Sequence, residues 1–100
     1  MVVARITKFF FKEGKREEGF EALDLILNKQ ARSAKGFRGY ITSFSCDQDN
    51  VAIFLTMWED DESYESSKDL FSSAVNRVTP LFERSPDVEH HRIDTVNINP

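Results

Sequence analysis

The stretch from Val51 to Leu70 carries the residue types best suited to a small-molecule pocket. An apolar strand pattern runs into Trp58 and is followed at once by acidic residues of the kind that begin helices. Trp58 therefore lies where a sheet edge meets a helix end, and its large ring with one polar N–H suits a half-wet site. Because ligand pockets are common at such joints, we expect a pocket beside Trp58.

Two adjacent histidines, His90 and His91, are the other candidates for chemistry. Neighbouring residues on a strand point to opposite faces, so the pair cannot bind one metal ion together. Asp87, Glu89 and His91 share a face, but a strand start rich in carboxylates is more typical of a solvated edge. We therefore predict no metal site, and either histidine stays a candidate general base.

Composition narrows the class of protein. The 100 residues include 17 acidic and 13 basic side chains, for a net charge of −4, and the basic ones are scattered. Nucleic acid is therefore not an expected partner. No apolar run approaches the roughly 18 residues of a membrane span, so we expect no membrane partner. The start lacks a secretory pattern and Cys46 has no disulfide partner, which favours a cytoplasmic location, with Cys46 as a small apolar filler.

The spacing of apolar residues predicts the order strand, helix, strand, strand, helix, strand in a single domain covering residues 1–100. This is the split β-α-β order of ferredoxin-like α+β domains, with an antiparallel sheet and helices on one face. The predicted strands cover 2–11, 37–46, 51–58 and 88–98. The first helix follows Gly14 and ends near Gly36, and the second, capped by Asp60 or Asp61, breaks near Ser72 or Thr79.

The third strand is apolar on both faces, which predicts that both faces of the sheet are covered. Nine phenylalanines are also many for a small two-layer domain to bury alone. A second copy of the chain is the simplest cover for the face that has no helices. We therefore predict a homodimer.

Two segments resemble the antibiotic biosynthesis monooxygenase-like family of dimeric α/β barrels, over about residues 2–98. One is 14–40, GKREEGFEALDLILNKQARSAKGFRGY, and the other is 54–71, FLTMWEDDESYESSKDLF, in which Trp58 ends a strand before a capped helix. The resemblance implies a homodimeric barrel of two facing sheets. The family includes cofactor-independent monooxygenases of phenols or quinols, haem-degrading enzymes, a signal-molecule isomerase, and proteins without an assigned reaction.

The resemblance is uneven between branches of the family. The haem-degrading branch has an Asn that aligns near Thr7 and an iron-binding His that aligns near Val75. Valine cannot ligate iron, so haem degradation is disfavoured. The phenol-oxidising branch has a Trp, a Tyr six positions later and a following Arg, matched here by Trp58, Tyr64 and Arg77. The Asn that this branch places before its Trp has no counterpart in 51–57.

The resemblance thus predicts a cofactor-independent monooxygenase acting on a small aromatic or quinol substrate, with no metal or flavin required. Its implied catalytic residues are Trp58, Tyr64 and Arg77. We expect Phe9, Phe44 and Phe54 to line the pocket and stack against the substrate. The alternative is a non-catalytic dimeric module that binds a small ligand or only assembles.

Overall fold

The computed structural model describes residues 1–99, which form a four-stranded antiparallel sheet and three α-helices. The strand order across the sheet is β2-β3-β1-β4. The predicted ferredoxin-like α+β order is therefore confirmed, with the two central strands separated along the chain by β2. The elements are β1 (Val3–Phe11), α1 (Arg16–Lys29), β2 (Phe37–Phe44), β3 (Val51–Trp58), α2 (Asp61–Ser66), α3 (Lys68–Val78) and β4 (Phe82–Arg92).

One row of residues crosses all four strands on the face that carries the helices. Arg5 of β1 is opposite Thr56 of β3 on one side and His90 of β4 on the other, and Thr56 is opposite Tyr40 of β2. Directly opposed residues of antiparallel strands project to the same face. Arg5 is therefore the centre of this polar row, which we call the arginine row: Tyr40, Thr56, Arg5 and His90.

Next to the arginine row, the same face of the sheet carries a core of aromatic rings. Phe9 and Phe11 of β1 pack with Phe54 and Phe82 and with apolar side chains of α1 and α3. Phe9 lies 5.3 Å from Phe54 and 5.5 Å from Phe82 between ring centroids. We call these four residues the phenylalanine core. Its burial is the main hydrophobic contribution on this face.

The first helix ends earlier than predicted. Helix α1 stops at Lys29, and a 3-10 turn, Ala31–Ser33, follows it before the chain enters β2. The prediction of a helix end near Gly36 was wrong because the chain must leave the helix axis to reach the sheet. Gly36 makes that connection with a φ of +79°, and a Cβ there would overlap the side chain of Ser63.

The second helical region is interrupted at Thr79, one of the two predicted positions, and also at Ser67, which was not predicted. Helix α3 runs without interruption through Ser72, and the break between α2 and α3 falls at Ser67. The Ser67 hydroxyl donates to the carbonyl oxygen of Tyr64 at 2.6 Å, which satisfies the last turn of α2 locally. The other predicted position holds, since α3 ends at Val78 and a 3-10 turn with Pro80 begins at Thr79.

The last strand is shifted toward the N-terminus relative to the predicted range 88–98. Strand β4 covers Phe82–Arg92 and pairs with β1, and the pairing register shifts beside Pro86, which has no N–H to donate. Its charged residues are typical of an edge strand and conceal it from an apolar pattern. At the other end, the Ile93 N–H donates to the Val2 carbonyl at 2.9 Å, one residue beyond the last pair, Val3 with Arg92.

Strand β2 ends at Phe44, two residues before the predicted end at Cys46. Cys46 follows the strand and is exposed, so the expectation that it fills apolar space was wrong. Strand β3 has the bounds that the sequence predicted, 51–58. No helix within residues 1–99 is both long and apolar enough to cross a membrane.

Candidate functional site

A cleft of about 50 Å³ lies between the helix-bearing face of the sheet and helices α1 and α3. The sheet contributes its polar groups and helices α1 and α3 contribute apolar side chains such as Leu27 and Phe71. This volume holds a few water molecules. An aromatic ring enters only if side chains of α1 and α3 rotate aside. The residues that the sheet supplies are Arg5, Thr7, Phe54, Thr56 and Trp58.

Trp58 forms one wall of the cleft, at the joint where the sequence predicted it. The residue is only 2% exposed, and its ring packs edge-on against Phe37 at 5.4 Å between centroids. Its indole Nε1–H donates to Thr56 Oγ1 at 3.1 Å. Because that donor is already used within the protein, Trp58 offers the cleft its carbon surface rather than a hydrogen bond.

Tyr64 lies behind the cleft rather than in its wall. Its buried ring stacks on the imidazole of His90, with 3.9 Å between centroids and an interplanar angle of 4°. The guanidinium carbon of Arg5 lies 4.4 Å from the centre of the same ring. Tyr64 therefore contacts two members of the arginine row.

Helix α2 holds Tyr64 in this place, and an aspartate caps it. Asp60 Oδ1 accepts a hydrogen bond from the Ser63 backbone N–H at 2.8 Å, as the sequence predicted for Asp60 or Asp61. That hydrogen bond from Ser63 lowers the pKa of Asp60. The cap matters because α2 has only six residues and little helical stability of its own.

The other residues predicted from the sequence are dispersed. Arg77 is exposed on α3, outside the cleft, and Phe9 is buried in the phenylalanine core. Phe44 is 41% exposed and packs on Phe20 at 4.4 Å between ring centroids. Of the three phenylalanines expected to line the pocket, only Phe54 lies in the wall of the cleft.

Arg5 is the polar centre of the cleft, and sequence reasoning missed it. The residue is only 4% exposed, and its guanidinium carbon lies 4.4 Å from the ring centre of Tyr64 and 4.5 Å from that of Phe71. One Nη–H donates to the Tyr64 carbonyl oxygen at a long 3.4 Å. Burial lowers the pKa of Arg5, and attraction to Tyr64 and Glu65 partly offsets that effect.

A signal for Arg5 was present in the sequence. The inward positions of β1 alternate as Val3, Arg5, Thr7, Phe9 and Phe11, and Arg5 is the one charged residue among them. A charged side chain at an inward position of a central strand is seldom buried without a partner or a function. The alternation of faces along the first strand, rather than its overall composition, distinguishes Arg5.

The two histidines lie on opposite faces of β4, as the sequence predicted. His90 Nε2 is 3.2 Å from Asp61 Oδ1 on the side of the helices, and His91 Nε2 is 2.6 Å from Glu89 Oε1 on the other side. Neither histidine lines the cleft. Within residues 1–99, no three His, Cys, Asp or Glu side chains are grouped so that they could hold a metal ion.

Comparison with known proteins gives a consistent fold. No protein-family model matches the chain, and no curated protein matches it. A solved structure from Caulobacter crescentus, described as a "putative antibiotic biosynthesis monooxygenase", is 16% identical with a TM-score of 0.79, over 96% of this chain and 91% of that one. A protein of the same description from Nitrosomonas europaea is 13% identical with a TM-score of 0.79, over 90% and 88%.

Protein SO0527 from Shewanella oneidensis is 26% identical with a TM-score of 0.76, over 90% of this chain and 88% of that one. These similarities extend over nearly the whole chain, so they concern the complete arrangement of sheet and helices rather than a local motif. The chain therefore has the ferredoxin-like α+β fold of antibiotic biosynthesis monooxygenase-like proteins.

Proposed function

We propose that this protein is a cofactor-independent, monooxygenase-like enzyme that acts on a small aromatic or quinol substrate bound in the cleft. The observation that carries the proposal is the combination of aromatic walls, Phe54, Trp58 and Phe71, with one buried cation, Arg5. An apolar pocket with a few convergent polar groups is the usual design of a small-molecule site. Two solved proteins of the same fold, each described as a "putative antibiotic biosynthesis monooxygenase", are consistent with this proposal.

The chemistry would rest on the substrate rather than on a cofactor. An ionised aromatic ring gives electrons to dioxygen, a carbon–oxygen bond forms, and protonation yields a hydroperoxide. Loss of water from the hydroperoxide cleaves the oxygen–oxygen bond and leaves a new carbonyl group. The protein would keep bulk water out, stack the ring against Trp58 and Phe54, and stabilise the negative charge with Arg5.

Haem degradation remains disfavoured, and the cleft gives a reason. Thr7 and Val75, which align near the Asn and His of the haem-degrading branch, both line the cleft together with Trp58. The positions that align with the Asn and His of that branch therefore lie together in the cleft, but here they carry the hydroxyl of Thr7 and the isopropyl group of Val75. Neither group is an axial ligand for haem iron.

A non-catalytic binding or assembly module is the second candidate. The small free volume of the cleft and the internal hydrogen bond between Trp58 and Thr56 favour this candidate. Both features leave little space and no free indole N–H for a substrate. The two candidates differ in one respect. An oxygenase must consume oxygen when a ligand is present, whereas a binding module binds the ligand without consuming oxygen.

We also propose that the protein is a homodimer that acts in the cytoplasm. The sheet face without helices carries apolar residues, with Ile53 37% exposed and Ile41 55% exposed. A second copy placed on this face would bury them, as the two-faced apolar pattern of β3 requires. Light scattering should give a mass twice that of the chain, and Ile53→Lys should shift it toward the monomer. A monomeric native protein at micromolar concentration would refute the dimer.

Oxygen uptake with a panel of hydroquinones and anthrones tests the catalytic proposal. We expect uptake with at least one class of substrate, and at least a tenfold lower rate in Trp58→Leu, because the ring wall that positions the substrate is lost. The exposed Arg32→Gln variant serves as a control for nonspecific changes of charge. If ligands bind saturably and no member of the panel consumes oxygen, the binding module is the better description.

A further inference from the structure

We infer that Arg5 and Thr56 together form an oxyanion site in the cleft, and that the ligand binds there as an aromatic anion, such as an ionised phenol or quinol. The inference deepens the proposed function and rests on it for the aromatic character of the ligand. It assigns the ionised form of the ligand and the two residues that recognise it. Thr56 supplies a hydroxyl, and Arg5 supplies a charge and N–H donors.

Arg5 and Thr56 bring hydrogen-bond donors to one part of the cleft. Arg5 and Thr56 are directly opposite in the pairing of β1 with β3, and both line the cleft. Arg5 donates to the Tyr64 carbonyl at 3.4 Å and interacts with the Tyr64 side chain, and its guanidinium fork has further N–H donors beyond these contacts. Thr56 Oγ1 accepts from Trp58, so its own hydroxyl proton is free to point at a third atom.

The charge of Arg5 has no partner of opposite charge nearby in the part of the chain that the structure describes. Among residues 1–99, no carboxylate oxygen lies within 4.0 Å of the Arg5 guanidinium. The acid that acts on it from farther away is Glu65, whose carboxylate is paired with Lys68 at 2.8 Å. A buried cation without an anion is costly, and the faces of Tyr64 and Phe71 compensate only in part. An anion that enters the cleft would complete the missing pair.

Within residues 1–99, the lining of the cleft offers no group that would take a proton from a ligand. The cleft is lined by hydroxyl, guanidinium and apolar groups, and by no carboxylate or imidazole. The nearest imidazole, that of His90, stacks on Tyr64, and its Nε2 faces Asp61. The cleft therefore has no general base to ionise a ligand. It selects ligands that are already acidic, because Arg5 stabilises the anion and so lowers the pKa of the bound phenol.

The test uses para-nitrophenol, whose ionised form absorbs visible light and reports its own protonation state. We expect the phenol bound to the native protein to ionise at least one pH unit below its value in solution, which is a tenfold preference for the anion. Arg5→Gln should remove the shift. Arg5→Lys should keep part of it, because lysine supplies charge without the fork. Thr56→Val should weaken binding less than Arg5→Gln, and the exposed Arg32→Gln should change nothing.

Two further ligands test charge and source. The carboxylate para-nitrobenzoate should bind at least tenfold more tightly than the neutral para-nitrobenzamide of nearly equal shape. Phenolate binding without benzoate binding would narrow the site to phenols, and the anion inference would stand. The inference would be overturned if para-nitrobenzoate and para-nitrobenzamide bound equally, if neither anion bound, or if the bound phenol titrated as it does in solution. These measurements use the native protein, so they do not depend on whether a variant folds.

The outcomes also separate this inference from the catalytic proposal. A shifted phenol pKa without oxygen uptake from any quinol supports the anion site and refutes the enzyme. Oxygen uptake that Arg5→Gln retains, together with equal binding of neutral and anionic probes, supports the enzyme and refutes the anion site.

Discussion

The helix-bearing face of the sheet has two neighbouring regions of opposite character. In the phenylalanine core, rings fill the space between sheet and helices, with centroids of Phe9 and Phe11 6.0 Å apart. At the arginine row, the same strands bury a cation and leave a cleft. Phe9 and Arg5 lie four residues apart on the same side of β1, so one strand contributes to both.

The difference shows how a small domain can separate stability from binding. Rings that fill a core stabilise the fold by burial and close contact. A buried cation without a counterion does the reverse, because it is kept from water with incomplete compensation. We infer that the phenylalanine core supplies the stability that allows Arg5 to stay buried without a counterion and available to a ligand. Substitutions in the core, in the arginine row and in the contacts around that row test this difference.

The largest loss of stability is expected in the phenylalanine core. Phe9→Ala removes a fully buried ring and leaves a cavity, which should lower the free energy of unfolding by about 3–5 kcal/mol in urea denaturation. Phe44→Ala is the matched control, since Phe44 is a partly exposed phenylalanine of the edge strand, and it should cost about 1 kcal/mol or less. Equal losses for the two would contradict the distinction between core and edge rings.

A smaller loss is expected on the other side of the arginine row, where Trp58 packs with Val3 and Tyr64 and bonds to Thr56. Trp58→Phe removes the indole N–H and part of the buried ring, and it should cost about 1–2 kcal/mol. Thr56→Val should cost a similar amount, because it leaves the indole donor buried without an acceptor. The double variant should lose less than the sum of the two. Strict additivity in urea denaturation would show that the hydrogen bond between these residues does not matter for stability.

A still smaller, pH-dependent change is expected at the cap that holds Tyr64 in place. Asp60→Ala should lower the thermal midpoint at neutral pH, whereas Asp60→Asn, which keeps an oxygen acceptor, should restore most of it. The folded pKa of Asp60 lies below its ordinary value of 3.8, so the stabilisation by its charge is present above that value. It should disappear as the pH falls through the lower, folded pKa. A difference between native and variant that is constant from neutral to acid pH would exclude this role of the charge.

No loss of stability is expected at the centre of the arginine row. Arg5→Met replaces a buried, unpaired cation with an apolar side chain of similar length, and such exchanges are neutral or stabilising. The unfolding free energy should stay within about 1 kcal/mol of the native value or rise. The response to para-nitrophenol should be lost at the same time. A loss of stability as large as that of Phe9→Ala would mean that Arg5 is structural and not a binding residue.

The sequence predicted the central part of the fold better than its ends. Strand β3 was predicted with its observed bounds because apolar residues fill it and a turn and a cap limit it. The bounds of strand β4 were predicted wrongly, because this edge strand carries charged residues and Pro86 instead of an apolar pattern. Its bounds also depend on its pairing with β1, which the pattern of one segment does not show. The break at Ser67 was missed because no glycine or proline marks it; there the Ser67 hydroxyl bonds to the Tyr64 carbonyl.

The candidate site was predicted in part. Trp58 was correctly placed at the joint of strand and helix, since the apolar pattern before it and the helix cap after it are both local features of the sequence. Arg77 was not, because the face of α3 that meets the sheet depends on how that helix rotates against α1 and β1. Arg5 was overlooked because a strand was judged by the apolar residues it contains rather than by the one charged residue at an inward position.

The sequence by itself determined the order of strands and helices and the joint at Trp58, because turns, caps and alternation act over a few residues. Only the tertiary structure decided which side chains share a space. Strand register brings Arg5 next to Thr56 and His90, although the three are far apart along the chain. The packing of the short helix α2 against the sheet adds Tyr64. The burial of Arg5 and its lack of a counterion are properties of packing, so only the tertiary structure shows that this cation is available to a ligand.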